Sequence, residues 1–298
     1  MAGALSPPRP DTYGLPGVEA LRLRSSRIEL GAVAAGPADG KLVVLLHGFP
    51  DFWYGWRHQI GPLAAAGLRV LAPDQRGYNL SEKPAGRAAY ALDALADDVL
   101  GLADALGRER FAVAGHDWGA VVAWHLAARN PERVERAALL NGPHPATLGA
   151  YMRAHPSQAA KSWYVAAFQA PALPELTLSA GDFAILRRSL AATARPGAFT
   201  HEDAGRYRAA WAQPGALTAM LNWYRALPLG AGSLRAGRVR VPVRVIWGDR
   251  DAYLDAGLAQ AGAALCDHAE VVHLPGATHW VQHDEPERVS ALLAGFMA

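Results

Sequence analysis

Only one cysteine, Cys266, occurs in the chain, which excludes an internal disulfide. No stretch of about 18 uncharged apolar residues is present, so no membrane-spanning helix is expected. The start, Met1-Ala2-Gly3-Ala4-Leu5-Ser6-Pro7-Pro8, lacks the apolar run of a secretory signal, and a cytoplasmic location is the expectation. Charge of one sign is lacking too. The 29 basic and 27 acidic residues leave a net +2 spread along the chain, which disfavours nucleic acid as a partner. There is no internal repeat. What remains is 51% hydrophobic and 19% charged, the balance of a soluble globular protein able to bury a sizeable core. Its 298 residues exceed the roughly 200–250 of a large single α/β domain, so one core plus an insertion is expected.

Apolar runs alternate with segments of helical spacing. Strands are expected at residues 21–24, 28–35, 42–46, 69–72, 111–114, 134–140, 243–247 and 271–274, and helices at 53–66, 92–106, 120–128 and from Pro286 onward. This alternation describes an α/β architecture, a mostly parallel central sheet flanked by helices. The first 17 residues, rich in Pro and Gly, read as a loose arm. The rhythm stops after Asn141-Gly142-Pro143-His144-Pro145 and resumes near Val243. Between them lies mostly helical, aromatic-bearing sequence broken by Pro171, Pro174, Pro196 and Pro214. The expected division is a core of residues 1–145 and 231–298 with a helical cap, or lid, inserted at 146–230.

Directly after the run 111–114 stands Gly115-His116-Asp117-Trp118-Gly119. The pattern small-x-nucleophile-x-small marks a sharp strand-to-helix turn that pushes one side chain into the open. An aspartate there attacks carbon through its carboxylate; with an ordinary pKa of about 3.9 it is already ionised and needs no activating base. The first product would be an alkyl ester of Asp117. Open parallel sheets gather ligands at the carboxyl ends of their strands. Two more strand ends carry Gly248-Asp249-Arg250-Asp251 and Pro275-Gly276-Ala277-Thr278-His279-Trp280, and the chain order nucleophile, acid, histidine is that of the alpha/beta hydrolases. His279 would draw a proton from the water that attacks the ester, the acid fixing its tautomer. Backbone N–H groups of Phe49, in His47-Gly48-Phe49-Pro50, and of Trp118 would face the resulting oxyanion. Pro50 is a candidate for a cis peptide bond. Asp249 competes with Asp251 for the acid. His273 and His283 compete with His279, but the first lies within a strand and the second just before a helix, placements that suit structural or solvent-facing side chains. His47 and His116 are expected to support loops, Trp53 and Trp56 to wall a pocket or pack the core, and Asp74-Gln75-Arg76-Gly77-Tyr78 to be structural.

The block His47-Gly48-Phe49-Pro50-Asp51-Phe52-Trp53-Tyr54-Gly55-Trp56-Arg57, residues 115–119, Gly248-x-x-Asp251 and His279-Trp280 together resemble an alpha/beta-hydrolase-fold epoxide hydrolase. The likeness runs from about residue 20 to the end. It implies the alpha/beta-hydrolase fold with an inserted helical cap, and it selects Asp251 as the acid. In Trp163-Tyr164-Val165-Ala166-Ala167-Phe168-Gln169 and Leu221-Asn222-Trp223-Tyr224-Arg225 it marks Tyr164 and Tyr224 as the cap phenols that protonate the epoxide oxygen. Opening an epoxide leaves an alkoxide that needs a proton, and a phenol with a pKa of about 10 can donate at neutral pH. The implied activity adds water to an epoxide to give a vicinal diol, with no metal and no organic cofactor; the partners are a small-molecule epoxide and water. Phe52, Trp118 and Trp280 are expected to wall the substrate pocket. Haloalkane dehalogenases, which are related, hold a halide with side-chain N–H donors; Trp118 suits that role and Phe49 does not. Fluoroacetate dehalogenases place arginines where this chain has Trp118 and Val121. A silent binder of a small apolar ligand has no need of Asp117, Asp251 and His279 together. Oligomeric state is left open.

Overall fold

A computed structural model describes residues 8–25, 27–227 and 238–298. Eight strands form one sheet: β1 (Val18–Arg24), β2 (Glu29–Ala35), β3 (Leu42–Leu46), β4 (Arg69–Pro73), β5 (Phe111–His116), β6 (Val134–Leu140), β7 (Val243–Gly248) and β8 (Ala269–Leu274). Their order is β1-β2-β4-β3-β5-β6-β7-β8. β2 runs antiparallel to both β1 and β4, and all the other neighbours are parallel. Every residue of β3 and β5 is buried. A parallel strand covered on both faces requires this, and it explains the uninterrupted apolar runs. All eight strands expected from the sequence are present.

Among the described residues three α-helices precede β6: α1 (Arg57–Ala65), α2 (Leu92–Ala105) and α3 (Trp118–Arg129). Among the described residues six lie between β6 and β7: α4 (Pro145–Ala154), α5 (Pro156–Lys161), α6 (Trp163–Ala167), α7 (Leu173–Thr193), α8 (His201–Trp211) and α9 (Ala216–Arg225). The chain ends with α10 (Gly257–Ala263), α11 (Val281–Asp284) and α12 (Pro286–Met297). α7 is not continuous: residues 180–183 leave helical geometry, with positive φ at Gly181, Asp182 and Phe183. The boundary expected at residue 230 lies outside the described residues. Among the described residues no helix is long and apolar enough to cross a membrane.

Residues 8–17 are not a loose arm. Pro10 is buried, and Tyr13 stacks on Trp53 with ring centres 5.8 Å apart while the Arg206 guanidinium lies over the Tyr13 ring, 4.5 Å from its centre. Aromatic packing outweighs the local Pro and Gly content from which a loose arm is expected. The first seven residues lie outside the described residues.

The loop after β4 joins the two helical layers to the sheet. Arg76 grips Asp98 of α2 bidentately at 2.6 and 2.7 Å, and Asp98 also accepts from Ser25 at 3.0 Å. The Arg76 carbonyl accepts from the indole of Trp223 on α9 at 3.1 Å. Removing one partner of a buried pair leaves the other charge unsatisfied. Asp98→Ala is therefore expected to cost roughly 3–5 kcal/mol of stability, read as an earlier midpoint in urea unfolding followed by tryptophan fluorescence.

Candidate active site

Five strand ends, those of β3, β5, β6, β7 and β8, supply the groups of one site. Asp117 caps α3 with φ 52° and ψ −119°, a left-handed conformation that a side chain makes costly. The turn is possible because its flanks are glycine. A Cβ at Gly115 would run into the Gly119 carbonyl, and one at Gly119 into the backbone carbonyls of Leu46 and His47.

Asp117 Oδ1 accepts the Phe49 N–H at 2.8 Å, while Oδ2 lies 3.6 Å from His279 Nε2. Burial pushes the Asp117 carboxyl up, opposed by the His279 charge and by the Phe49 and Trp118 amides. His279 Nδ1 donates to Asp251 Oδ2 at 2.7 Å. Burial disfavours the imidazolium, but the charge and hydrogen bond of Asp251, followed by the charge of Asp117, outweigh it and raise the His279 pKa. Asp251 is itself held on both oxygens. Oδ1 accepts the Tyr253 and Leu254 N–H groups at 2.7 and 3.0 Å, and Oδ2 accepts from Asn141 Nδ2 at 2.8 Å. Asn141, at φ 38°, also accepts the Gly248 N–H at 2.8 Å and so fastens the end of β6 to the end of β7.

Two further histidines support the backbone, as expected. His116 Nε2 donates to the His279 carbonyl at 2.8 Å, and burial drives its pKa well down, keeping it neutral. His47 Nε2 accepts the Gln75 N–H at 3.0 Å and Nδ1 donates to the Gly48 carbonyl at 3.0 Å, with burial lowering its pKa to about 4. The Phe49–Pro50 bond is cis. Asp249 pairs with His273 at 2.6 Å instead of with His279. His283 is buried against Arg57 at 2.9 Å and does not face solvent.

Tyr164 of α6 and Tyr224 of α9 join Asp117 in the wall of two cavities, their rings 6.0 Å apart. Burial, then the charge of Asp117, raises both phenol pKa values, so both hydroxyls stay protonated. Trp280 lines the larger cavity, of about 520 Å³, and Trp118 lines the smaller, of about 220 Å³. Phe52 lines neither. It is 1% exposed, and its ring packs 5.3 Å from Tyr207 and 5.7 Å from Tyr54, because the chain turns into a short 3-10 segment (Trp53–Trp56) that carries Phe52 into the core.

Three neighbours escaped the sequence reading. Asn141 is one, and Tyr253, whose ring centre lies 5.2 Å from that of His279, is another. Arg225 is the third: it donates to the Phe168 and Ala170 carbonyls at 2.9 and 2.8 Å and grips Glu175 at 2.6 and 2.9 Å, tying the helix of Tyr224 to the segment after Tyr164. Its place beside Tyr224 in the quoted stretch was the available signal.

The alpha/beta hydrolase fold family matches residues 41–286, and the chain belongs to that family. Among its relatives, the AB hydrolase superfamily protein YfhM of Bacillus subtilis (strain 168) is 46% identical over 94% of this chain and 98% of its own length. Epoxide hydrolase 4 of Homo sapiens is 35% identical over 93% of this chain and 78% of its own. An epoxide hydrolase from Bacillus megaterium, solved with an inhibitor, superposes with a TM-score of 0.84 at 30% identity, covering 93% of this chain and 99% of that one.

The turn at Asp117 generates a direct test. Gly119→Ala forces a Cβ against fixed backbone, so it is expected to cost at the upper end of roughly 1–3 kcal/mol and to lower the melting temperature by several degrees in calorimetry.

Proposed function

We propose that the chain is an epoxide hydrolase that adds water to an epoxide through an ester on Asp117, with Asp251 and His279 completing a triad and residues 146–230 serving as the cap. The observation that carries this reading is the convergence of a carboxylate, a carboxylate-held imidazole and two protonated phenols on one apolar cavity. A serine hydrolase has no use for the phenols, and a carboxylate needs them only when the leaving oxygen must be protonated. Epoxide hydrolases among the relatives and the superposed structure support the same activity.

In the first half, Asp117 Oδ2 attacks an oxirane carbon, the C–O bond breaks, and the oxygen takes a proton from Tyr164 or Tyr224. Oδ1 stays against the Phe49 N–H and becomes the ester carbonyl oxygen. Alkylation removes the charge that faces His279 Nε2, so the imidazole releases its proton more readily when a base is needed. In the second half His279 takes a proton from water, which adds to the Asp117 carboxyl carbon. The oxyanion forms against the Phe49 and Trp118 N–H groups and collapses, breaking the bond to the alkyl oxygen, which takes the proton held by His279 as the diol leaves. The remaining proton of that water restores the tyrosine. Single cysteine and balanced charge support a cytoplasmic enzyme that does not act on nucleic acid.

Incubated with styrene oxide, His279→Gln is expected to accumulate an epoxide-sized mass increment that intact-mass spectrometry detects. The increment should vanish on Asp117→Ala, and adding Tyr164→Phe and Tyr224→Phe should slow its appearance by roughly 10²-fold or more. Bromide release from a bromoalkane with no diol from any epoxide would overturn the assignment.

The His279 base form appears as pH rises through its pKa, and the Asp251 charge raises that pKa. In Asp251→Asn the acid limb of ester hydrolysis, followed in single turnovers, is therefore expected to move to lower pH. Its plateau should fall by roughly 10²- to 10⁴-fold because the imidazole loses its tautomer lock.

A further inference from the structure

Helix α5 belongs to the excursion between β6 and β7, yet its side chains bind the loop that carries Asp251. Gln158 is the buried residue of this six-residue helix, whose other positions are exposed or half-buried. An amide is costly to bury unless its donors and its acceptor are met, and here they are. Gln158 Nε2 donates to the Tyr253 carbonyl at 2.9 Å and to Ser162 Oγ at 3.0 Å, and Oε1 accepts the Asp255 N–H at 2.7 Å. Turning the amide over would set oxygen against carbonyl and N–H against N–H, so the loop dictates its orientation. Two neighbours on the same helix add to the hold. Lys161 donates to the Asp251 carbonyl at 3.2 Å and pairs with Asp255 Oδ1 at 2.8 Å, and Ser157 donates to Asp255 Oδ2 at 2.9 Å.

The loop in turn sets the acid. It closes on Asp251 Oδ1 through the Tyr253 and Leu254 N–H groups, while the Tyr253 ring stands 5.2 Å from that of His279 and its hydroxyl bonds Ser189 of α7 at 2.6 Å. A shift of Tyr253 therefore moves the amide on which Asp251 rests, and with it the 2.7 Å bond from Asp251 Oδ2 to His279 Nδ1. We infer that Gln158 is a positioning residue for ester hydrolysis: from the helical insertion it fixes the 251–255 loop so that Asp251 holds His279 in the geometry for drawing a proton from water. The inference rests on the epoxide hydrolase reading. Alkylation draws instead on Asp117, the Phe49 amide and the phenols, placed by the turn at Asp117 and by the anchors of Trp223 and Arg225. Displacing the loop accordingly bears on the second half-reaction and spares the first.

The test is Gln158→Met, which keeps the length of the side chain and removes its hydrogen bonds, followed in single turnovers of styrene oxide by rapid quench and intact mass. Ester hydrolysis is expected to slow roughly 10-fold or more while ester formation stays within about threefold of wild type. Because the effect runs through Asp251, the same substitution in an Asp251→Asn background is expected to slow hydrolysis less than about twofold further. A residue that only stabilised the fold would instead cost the same factor in both backgrounds. Should Gln158→Met fail to fold by circular dichroism, Lys161→Met, at a partly exposed position on the same clamp, is read in the same way. Equal slowing of both half-reactions, slowing of neither, or equal losses with and without the Asp251 carboxylate overturns the inference and leaves the activity standing. Absence of diol from styrene oxide and from a panel of terminal and internal alkyl epoxides overturns the activity itself, and the inference with it.

Discussion

The left-handed turn at Asp117 is the constraint around which the rest of the site is arranged. A non-glycine residue at φ 52° persists only where its surroundings over-determine it. Here β5 ends beneath it, α3 begins from it, and the backbone of β3 closes in so tightly that Gly119 leaves no room for a methyl group. The same closeness brings the Phe49 amide to 2.8 Å from the carboxylate. The proposed nucleophile and the proposed oxyanion donor are thus positioned by one backbone crossing, with no mobile side chain between them.

Around that crossing, the polar groups fix one another in a chain. Gly248 holds Asn141, Asn141 holds Asp251, Asp251 holds the imidazole of His279, and His116 holds the backbone of His279. None of these groups is long or flexible, so little rotamer entropy is lost in ordering them. The phenols are held differently. Tyr224 is placed by Trp223, anchored to the Arg76 carbonyl, and by Arg225, anchored to the segment following Tyr164. The phenol-bearing half of the candidate site is consequently tied to the sheet through the Arg76–Asp98 pair.

Much of this was legible in the sequence because it is local. Continuous apolar runs fixed on both faces by burial read as strands, and the flanking glycines of Asp117 read as a turn, since each depends only on neighbouring residues. Asp249 and Asp251 are two positions apart, and nothing local distinguishes them; only the fold sends Asp249 to His273 and Asp251 to His279. Asn141 was invisible for the same reason, its partners standing 107 and 110 residues away. Phe52 was misplaced because an aromatic next to an oxyanion loop has two apolar surfaces to choose from, and the short turn that follows decides between them. The arm at residues 8–17 was misread because its order comes from Trp53 and Tyr54, not from its own composition.

Helices α4 to α9 leave the sheet after β6 and the chain returns to it at β7, and these strands are direct neighbours, Leu140 facing Ile246. The two ends of the excursion are therefore already side by side, and β6 and β7 pair directly whatever the helices between them. The walls of both cavities borrow heavily from this excursion, while Asp117, Asp251 and His279 come from outside it. Descent with modification can then reshape most of the cavity wall by altering one contiguous block, leaving the Asp117, Asp251 and His279 cluster untouched where the Gln158 contacts are kept. The same seam is the natural place to splice when the corresponding helices of a relative are to be exchanged for these.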